Sequence, residues 1–315
     1  MKKIFAAILM TLCMAGVAVA QDMAQATELA KQANESLVNG DNDAALAGFR
    51  QALEQASLCG EEGFDLVTTC KGVIPKILLN QAKASISANE FDAAVAKLKE
   101  TAEVATEYEQ AETAEEANAL VPQVLLQKAN HLLNAKDFAG AISAYKDVID
   151  VDPANGNAFL RMGMAYNGKG DLDNAIDAFD KALANTPEAS QGAVKKQLSN
   201  AYLKKANSFY KAKQWKEALE FAQKSIENQD NPNAEKIVGN AASQLKQNKI
   251  AAEAFEAYLT MKPNAPDKVQ VTYQLGTTLQ ALGDKEKACS YFKSIADDPK
   301  FGEGARYQLT QLKCN

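Results

Sequence analysis

A block of about thirty-four residues recurs along the chain, and its clearest copy, Asn157 to Pro187, reads NAFLRMGMAYNGKGDLDNAIDAFDKALANTP. A period of this length means that each copy is one small supersecondary unit, which cannot bury its own apolar face and must stack on its neighbours. Small side chains set the register. Counting within each copy, the eighth position holds Ala33, Ala82, Ala129, Gly163, Ala206, Gly239 and Gly276, and the twentieth holds Ala45, Ala94, Ala141, Ala175, Ala218, Ala251 and Ala288. The twenty-fourth is mostly bulky: Phe49, Leu98, Tyr145, Phe179, Ala222, Phe255 and Phe292. Helix axes that approach to about 8–10 Å need small side chains at the contact. Positions eight and twenty are therefore expected where the two helices of a copy cross, with position twenty-four filling the space between neighbouring copies.

The rest of the block agrees. In the clearest copy Leu172, Ala175, Ile176, Phe179, Ala182 and Leu183 fall on one helical face. Gly40-Asp41, Gly170-Asp171 and Gly283-Asp284 separate helices: glycine tolerates the left-handed conformation at a helix end, and aspartate caps the next start. Pro153, Pro187, Pro263 and Pro299 close copies where a new helix must begin. With these features the block resembles the tetratricopeptide repeat (TPR). The resemblance implies an all-α, right-handed TPR superhelix, a solenoid of about seven helix-turn-helix repeats with a C-terminal capping helix. In this reading the solenoid spans 21–315, with repeats near 26–58, 75–108, 122–155, 156–189, 199–231, 232–265 and 269–300 and the cap over 302–313. Spacing is uneven. The extra residues around Cys59–Cys70 and Thr106–Leu120 read as insertions or extended helices, and a surplus near Ala189–Leu198 as a lengthened first helix of repeat five.

Residues 1–20 read as a signal peptide: a basic start at Lys2 and Lys3, an apolar stretch from Ile4 to Val17, and the small-residue site Ala18-Val19-Ala20. The expected location is exported, periplasmic or cell-surface associated. Nothing later is long and apolar enough to span a membrane, which takes about 20 residues. The net charge is −6, the wrong sign for a nucleic-acid binder. The glutamate-rich run from Glu100 to Glu116 reads as a solvated helix face and connection. Besides Cys13, four cysteines remain, and four allow three pairings. Export permits disulfides, and local pairing, Cys59 with Cys70 and Cys289 with Cys314, is the favoured choice. Loops of these sizes contribute on the order of 3 kcal/mol each.

No constellation for chemistry emerges. His131 is the one histidine, so a Ser-His or Cys-His site would have to use it, and it reads as a surface side chain. The clusters Asp41-Asn42-Asp43 and Asp147 to Asp152 lack the glycine and glutamate places of a calcium loop and fall at helix boundaries. No enzyme, metal or cofactor is expected.

The TPR resemblance implies that first helices line a concave groove, with ligand-facing side chains at the second, fifth, ninth, twelfth and thirteenth positions. The ninth reads Asn34, Lys83, Asn130, Met164, Asn207, Asn240 and Thr277. An asparagine amide both donates and accepts, so Asn34, Asn130, Asn207 and Asn240 suit a peptide main chain whatever its side chains. Lys236 and Asn240 match part of a carboxylate clamp, but Gln274 stands where its next asparagine would be. Tyr210 and Lys211 offer an apolar and a cationic contact on the same face. The expectation is a non-enzymatic envelope scaffold that binds an extended peptide or protein partner in its groove. The alternative is a structural subunit of an envelope or outer-membrane assembly complex acting through edges and insertions; an envelope hydrolase is disfavoured.

Overall fold

The computed structural model describes residues 22–314. The expected signal peptide, with Cys13, and Asn315 lie outside them. Among the described residues there are fifteen α-helices and no strand. They are α1 (22–38), α2 (Asn42–Leu58), α3 (Phe64–Ser87), α4 (Phe91–Glu107), α5 (Ala111–Asn134), α6 (Phe138–Val151), α7 (Gly156–Lys169) and α8 (Leu172–Ala184), followed by α9 (Gly192–Lys211), α10 (Trp215–Asn228), α11 (Pro232–Gln244), α12 (Asn248–Met261), α13 (Lys268–Leu282), α14 (Lys285–Ser294) and α15 (Gly302–Gln311). Two compact units divide them. The first runs to Ala135 and adds Ser143–Pro153; the second joins Lys136–Ile142 to the chain from Ala154 onward. Within each unit, helices adjacent in sequence pack on one another as helix-turn-helix pairs.

Packing inside a pair turns on one crossing. Phe179, Phe255 and Phe292 are fully buried, and each ring lies on the glycine at the eighth position of its own repeat. A Cβ added to Gly163, Gly239 or Gly276 would sit 2.6, 2.5 or 2.7 Å from that ring. The sequence placed position twenty-four between repeats; its primary seat is inside the pair. The reason is steric, since only bare backbone lets a phenyl ring reach the opposing helix. Repeat one keeps Ala33 at position eight beneath Phe49 and shifts the close approach to Gly48, where a Cβ would meet that of Ala33 at 2.7 Å.

The turns follow one rule. Position fifteen adopts positive φ in all seven repeats: Gly40, Gly170 and Gly283 at +81 to +86°, Asn89, Lys136, Lys213 and Lys246 at +58 to +61°. Asp41, Asp171 and Asp284 then cap the next helix, accepting from Ala44, Asn174 and Lys287 at 3.0, 3.3 and 3.1 Å. The Gly-Asp turns are thus as expected. The other repeats hold the same backbone at the cost of a left-handed side-chain residue.

Most surplus residues go into longer first helices. α3 and α5 are each 24 residues long and run through Pro75 and Pro122, the places where the repeat frame starts. The Cys59–Cys70 segment adds a 3-10 turn, Gly60–Gly63, before α3. Before α9 comes another, Glu188–Ser190.

The cysteines divide. Cys289 on α14 is joined to Cys314 after α15, with Cα atoms 5.8 Å apart. Cys59 and Cys70 are not joined: both are buried thiols, which corrects the expected pair. Cys70 lies on the buried face of α3, packed with Ala33, Phe49, Ala52 and Ile74. Burial pushes its thiol up to about 11. Cys59 closes the end of α2 and donates its thiol to the Gln55 carbonyl at 3.4 Å. Eleven residues of separation left their directions open; a core-facing helix position and a helix end do not point at each other.

At repeat six, Gly239→Ala is expected to lower stability by about 1–3 kcal/mol through overpacking against Phe255. Lys246→Gly is expected to raise it by up to about 1 kcal/mol by relieving the left-handed strain. Urea midpoints should therefore move in opposite directions. Replacing Cys289 and Cys314 by serine should lower stability by about 3 kcal/mol and speed amide exchange across α15. In guanidinium without reductant, Ellman's reagent should count two thiols on residues 22–315.

Candidate functional site

The first helices of successive repeats meet along one face of each unit, and their polar side chains bridge there. In the first unit Lys83 of α3 pairs with Glu116 of α5 at 2.7 Å. In the second, Lys204 of α9 donates to Asn167 of α7 at 2.8 Å, and Gln274 of α13 donates to Asn240 of α11 at 2.9 Å. These bridges space the helices and identify the face on which the ninth positions lie.

The four asparagines fall into two classes. Asn34 on α1 and Asn207 on α9 are exposed, and their amides bond to no described residue. Asn130 on α5 is half-buried and accepts from the Tyr145 hydroxyl at 2.7 Å. Asn240 accepts from Gln274. In both bonded cases the carbonyl oxygen is engaged and the NH2 group remains a donor. Asn34 and Asn130 belong to the first unit, Asn207 and Asn240 to the second, so each unit carries one open amide and one braced one.

Lys236 is engaged within the fold. Its ammonium sits 2.8 Å from Asp267, and the same carboxylate accepts from the Tyr258 hydroxyl at 2.5 Å. The lysine also lies 5.5 Å over the Tyr258 ring. Burial alone would raise the Asp267 carboxyl, but the hydrogen bonds from Lys236 and Tyr258 outweigh it and hold the group below its ordinary range. Burial, then Asp267, push the Tyr258 phenol up to about 12. Asp267 stands in the turn before α13. Together with the Asn240–Gln274 bond it fixes α11 to α13 at two points. Sequence spacing could not reveal this lock, because Lys236 and Asp267 are thirty-one residues apart and meet only through stacking.

Tyr210 is half-buried and meets Trp215 edge-on, with ring centroids 5.3 Å apart, so part of its surface belongs to packing. Lys211 is exposed. His131 is exposed, 5.6 Å from the Phe91 ring. Asp41 caps α2, and Asp43 accepts from the buried amide of Gln81 at 2.6 Å. Among the described residues no group of three or more His, Cys, Asp or Glu side chains could hold a metal ion, and no helix is long and apolar enough to cross a membrane.

Models of the tetratricopeptide repeat match residues 126–190, 200–231 and 270–300. These segments are tetratricopeptide repeats. The helix-turn-helix pairs stacked in each unit are consistent with a TPR superhelix, a fold typical of protein-interaction scaffolds. Among solved structures, MamA is 21% identical with a TM-score of 0.40, over 59% of this chain and 96% of its own. YrrB, described as a TPR protein with an unusual peptide-binding site, is 22% identical with a TM-score of 0.40, over 62% of this chain and 96% of its own. MamA from Desulfovibrio magneticus is 18% identical with a TM-score of 0.36, over 55% and 92%. No curated protein is significantly similar in sequence.

The lock on α11 makes a pH prediction. A carboxyl whose folded pKa is depressed contributes stability that is present above its unfolded pKa, about 3.9, and is lost as pH falls through the folded value. Asp267→Asn should therefore flatten the acid limb of stability below about pH 4 while leaving the profile near neutrality shifted by a constant amount. Urea midpoints from pH 2 to 7 test this.

Proposed function

We propose that the chain is an exported scaffold of the bacterial cell envelope that holds an extended segment of a partner protein against the first-helix face of its repeats. The observation that carries this reading is the open amide of Asn207. It stands on α9 between the Asn167–Lys204 bridge and the Asn240–Gln274 bridge, with Lys211 exposed on the same helix. An amide held on a rigid helix and lacking an internal partner can donate to and accept from one peptide unit without selecting side chains. Asn34 repeats the device in the first unit, and the NH2 groups of Asn130 and Asn240 add donors. Lys236 contributes through its hold on Asp267 rather than as a cation offered to a carboxylate terminus. Tyr210, steadied by Trp215, supplies an apolar flank.

The envelope location rests on the leader read in residues 1–20, and the Cys289–Cys314 disulfide is in keeping with an oxidising compartment. A specific observation favours a second reading, the structural subunit that works through its edges. Leu58 and Phe64, 73% and 68% exposed, flank the 3-10 turn Gly60–Gly63 and put two large apolar side chains in water at the insertion before α3.

The two readings separate in one experiment. Partners captured from envelope extract by the intact chain are identified by mass spectrometry, then tested against two variants. Alanine at Asn34, Asn130, Asn207 and Asn240 should abolish capture, with thermal melting checked because Asn130 loses its bond from Tyr145. Serine at Leu58 and Phe64 should leave capture intact. The reverse pattern supports the edge reading, and capture unchanged by the asparagine set rejects the groove.

A further inference from the structure

Unit two carries a second concavity, formed mainly by the second helices α10 and α12 rather than by the first-helix face. It has a volume of about 500 Å³. Its floor is apolar: Val238 and Ala254 are buried, and Ile226 and Ile250 are half-buried. Around this floor stand Glu227 of α10, Glu235 of α11 and Glu253 of α12. None of the three carboxylates forms an ion pair or a hydrogen bond with a described residue, although carboxylates nearby do. Glu220 is bonded to Lys224 at 2.8 Å, Asp267 to Lys236 at 2.8 Å, and Glu256 approaches Lys287 at 3.8 Å. Lys224, the cation nearest Glu227 on α10, is thus committed to Glu220, and Lys249 on α12 makes no ion pair with Glu253. Burial, with Asp230 adding repulsion, raises the Glu235 carboxyl above its ordinary range, the direction expected of an acid that lacks a cation.

We propose that this hollow docks a cationic, aliphatic segment of a protein partner, one whose lysine or arginine stem lies on Val238, Ala254, Ile226 and Ile250 while its charged head meets Glu227, Glu235 and Glu253. Charge complementarity names the occupant. A purely apolar segment would cover the floor and strand three carboxylates in a drier setting, which is costly. An acidic segment would be repelled. Lysine and arginine are the side chains that carry methylenes and a positive head together. The site is independent of the first-helix face: Val238 and Glu235 occupy the seventh and fourth positions of repeat six, whereas Lys236 and Asn240 occupy the fifth and ninth.

The probe is an acetylated, amidated hexapeptide of alternating leucine and arginine, titrated into the full disulfide-bonded mature chain and followed by methyl and amide NMR. Saturable shifts should concentrate at Ile226, Val238, Ile250 and Ala254, and weaken as salt rises. A triple variant, Glu227→Gln, Glu235→Gln and Glu253→Gln, should bind at least about tenfold more weakly with unchanged circular dichroism and melting, because these carboxylates support no internal bond. Hexapeptides of leucine with glutamate, or of serine with arginine, should leave the floor methyls unmoved. Shifts centred instead on Asn207 and Asn240, equal binding by the triple variant, or no saturable shift at all would overturn the proposal. So would self-association of the wild type, by sedimentation, that the triple variant loses, since the hollow would then belong to a second copy.

Discussion

A phenyl ring laid on bare backbone is the contact on which the C-terminal repeats depend. Phe179, Phe255 and Phe292 reach their opposing helices only because Gly163, Gly239 and Gly276 have no side chain there. Each buried ring removes a large apolar area from water, at about 25 cal/mol per Å², and fixes the distance between the two helices of its pair. Repeat five solves the same problem without a ring. Ala206 and Ala222 are both fully buried, and the buried hydroxyl of Ser225 donates to the Ser199 carbonyl at 2.9 Å, so neither helix leaves a polar group unsatisfied.

Between repeats the logic changes from apolar to polar. Lys128 with Asp92 at 2.5 Å and Lys205 with Asp173 tie a first helix to the start of the second helix before it, while Lys204, Gln274 and Lys83 tie first helices to one another. Exposed ion pairs of this kind contribute little stability, roughly 0–1 kcal/mol each. Their value is in register. They hold successive first helices at a set spacing. The braced asparagines belong to this framework; the open ones, Asn34 and Asn207, are what the framework presents.

The fold was legible in the sequence wherever a contact lies within one repeat. Positions eight and twenty, the Gly-Asp turns, and the pairing of Cys289 with Cys314 all concern residues at most about one repeat apart, so periodicity captures them; position twenty-four was legible as bulky, but its seat inside the pair was not. Position fifteen was read only where it is glycine; Asn89 is of a type that tolerates the left-handed region, but Lys136, Lys213 and Lys246 give no sign of their backbone, because tertiary packing rather than residue preference imposes it. The candidate site was legible as a face and not as chemistry. Which asparagine is open depends on Tyr145 and Gln274, and the fate of Lys236 depends on Asp267 in a loop of the next repeat. Such links arise from stacking, which leaves no pattern in a single sequence. The Cys59–Cys70 pairing failed for a related reason: closeness in sequence says nothing of direction once a 3-10 turn and a long helix intervene.

The cysteines of the two units play different parts. α14 and α15 have ten residues each, a length at which a helix in isolation is marginal. A covalent link from Cys289 to Cys314 limits how far the cap can fray and keeps Ala305 and Gly302 buried. In the first unit α2 and α3 are long, with 17 and 24 residues, and Cys70 contributes as a small apolar side chain among Ala33, Phe49 and Ile74 rather than as a redox group. The disulfide thus joins the two shortest α-helices among the described residues, where apolar contact per helix is least.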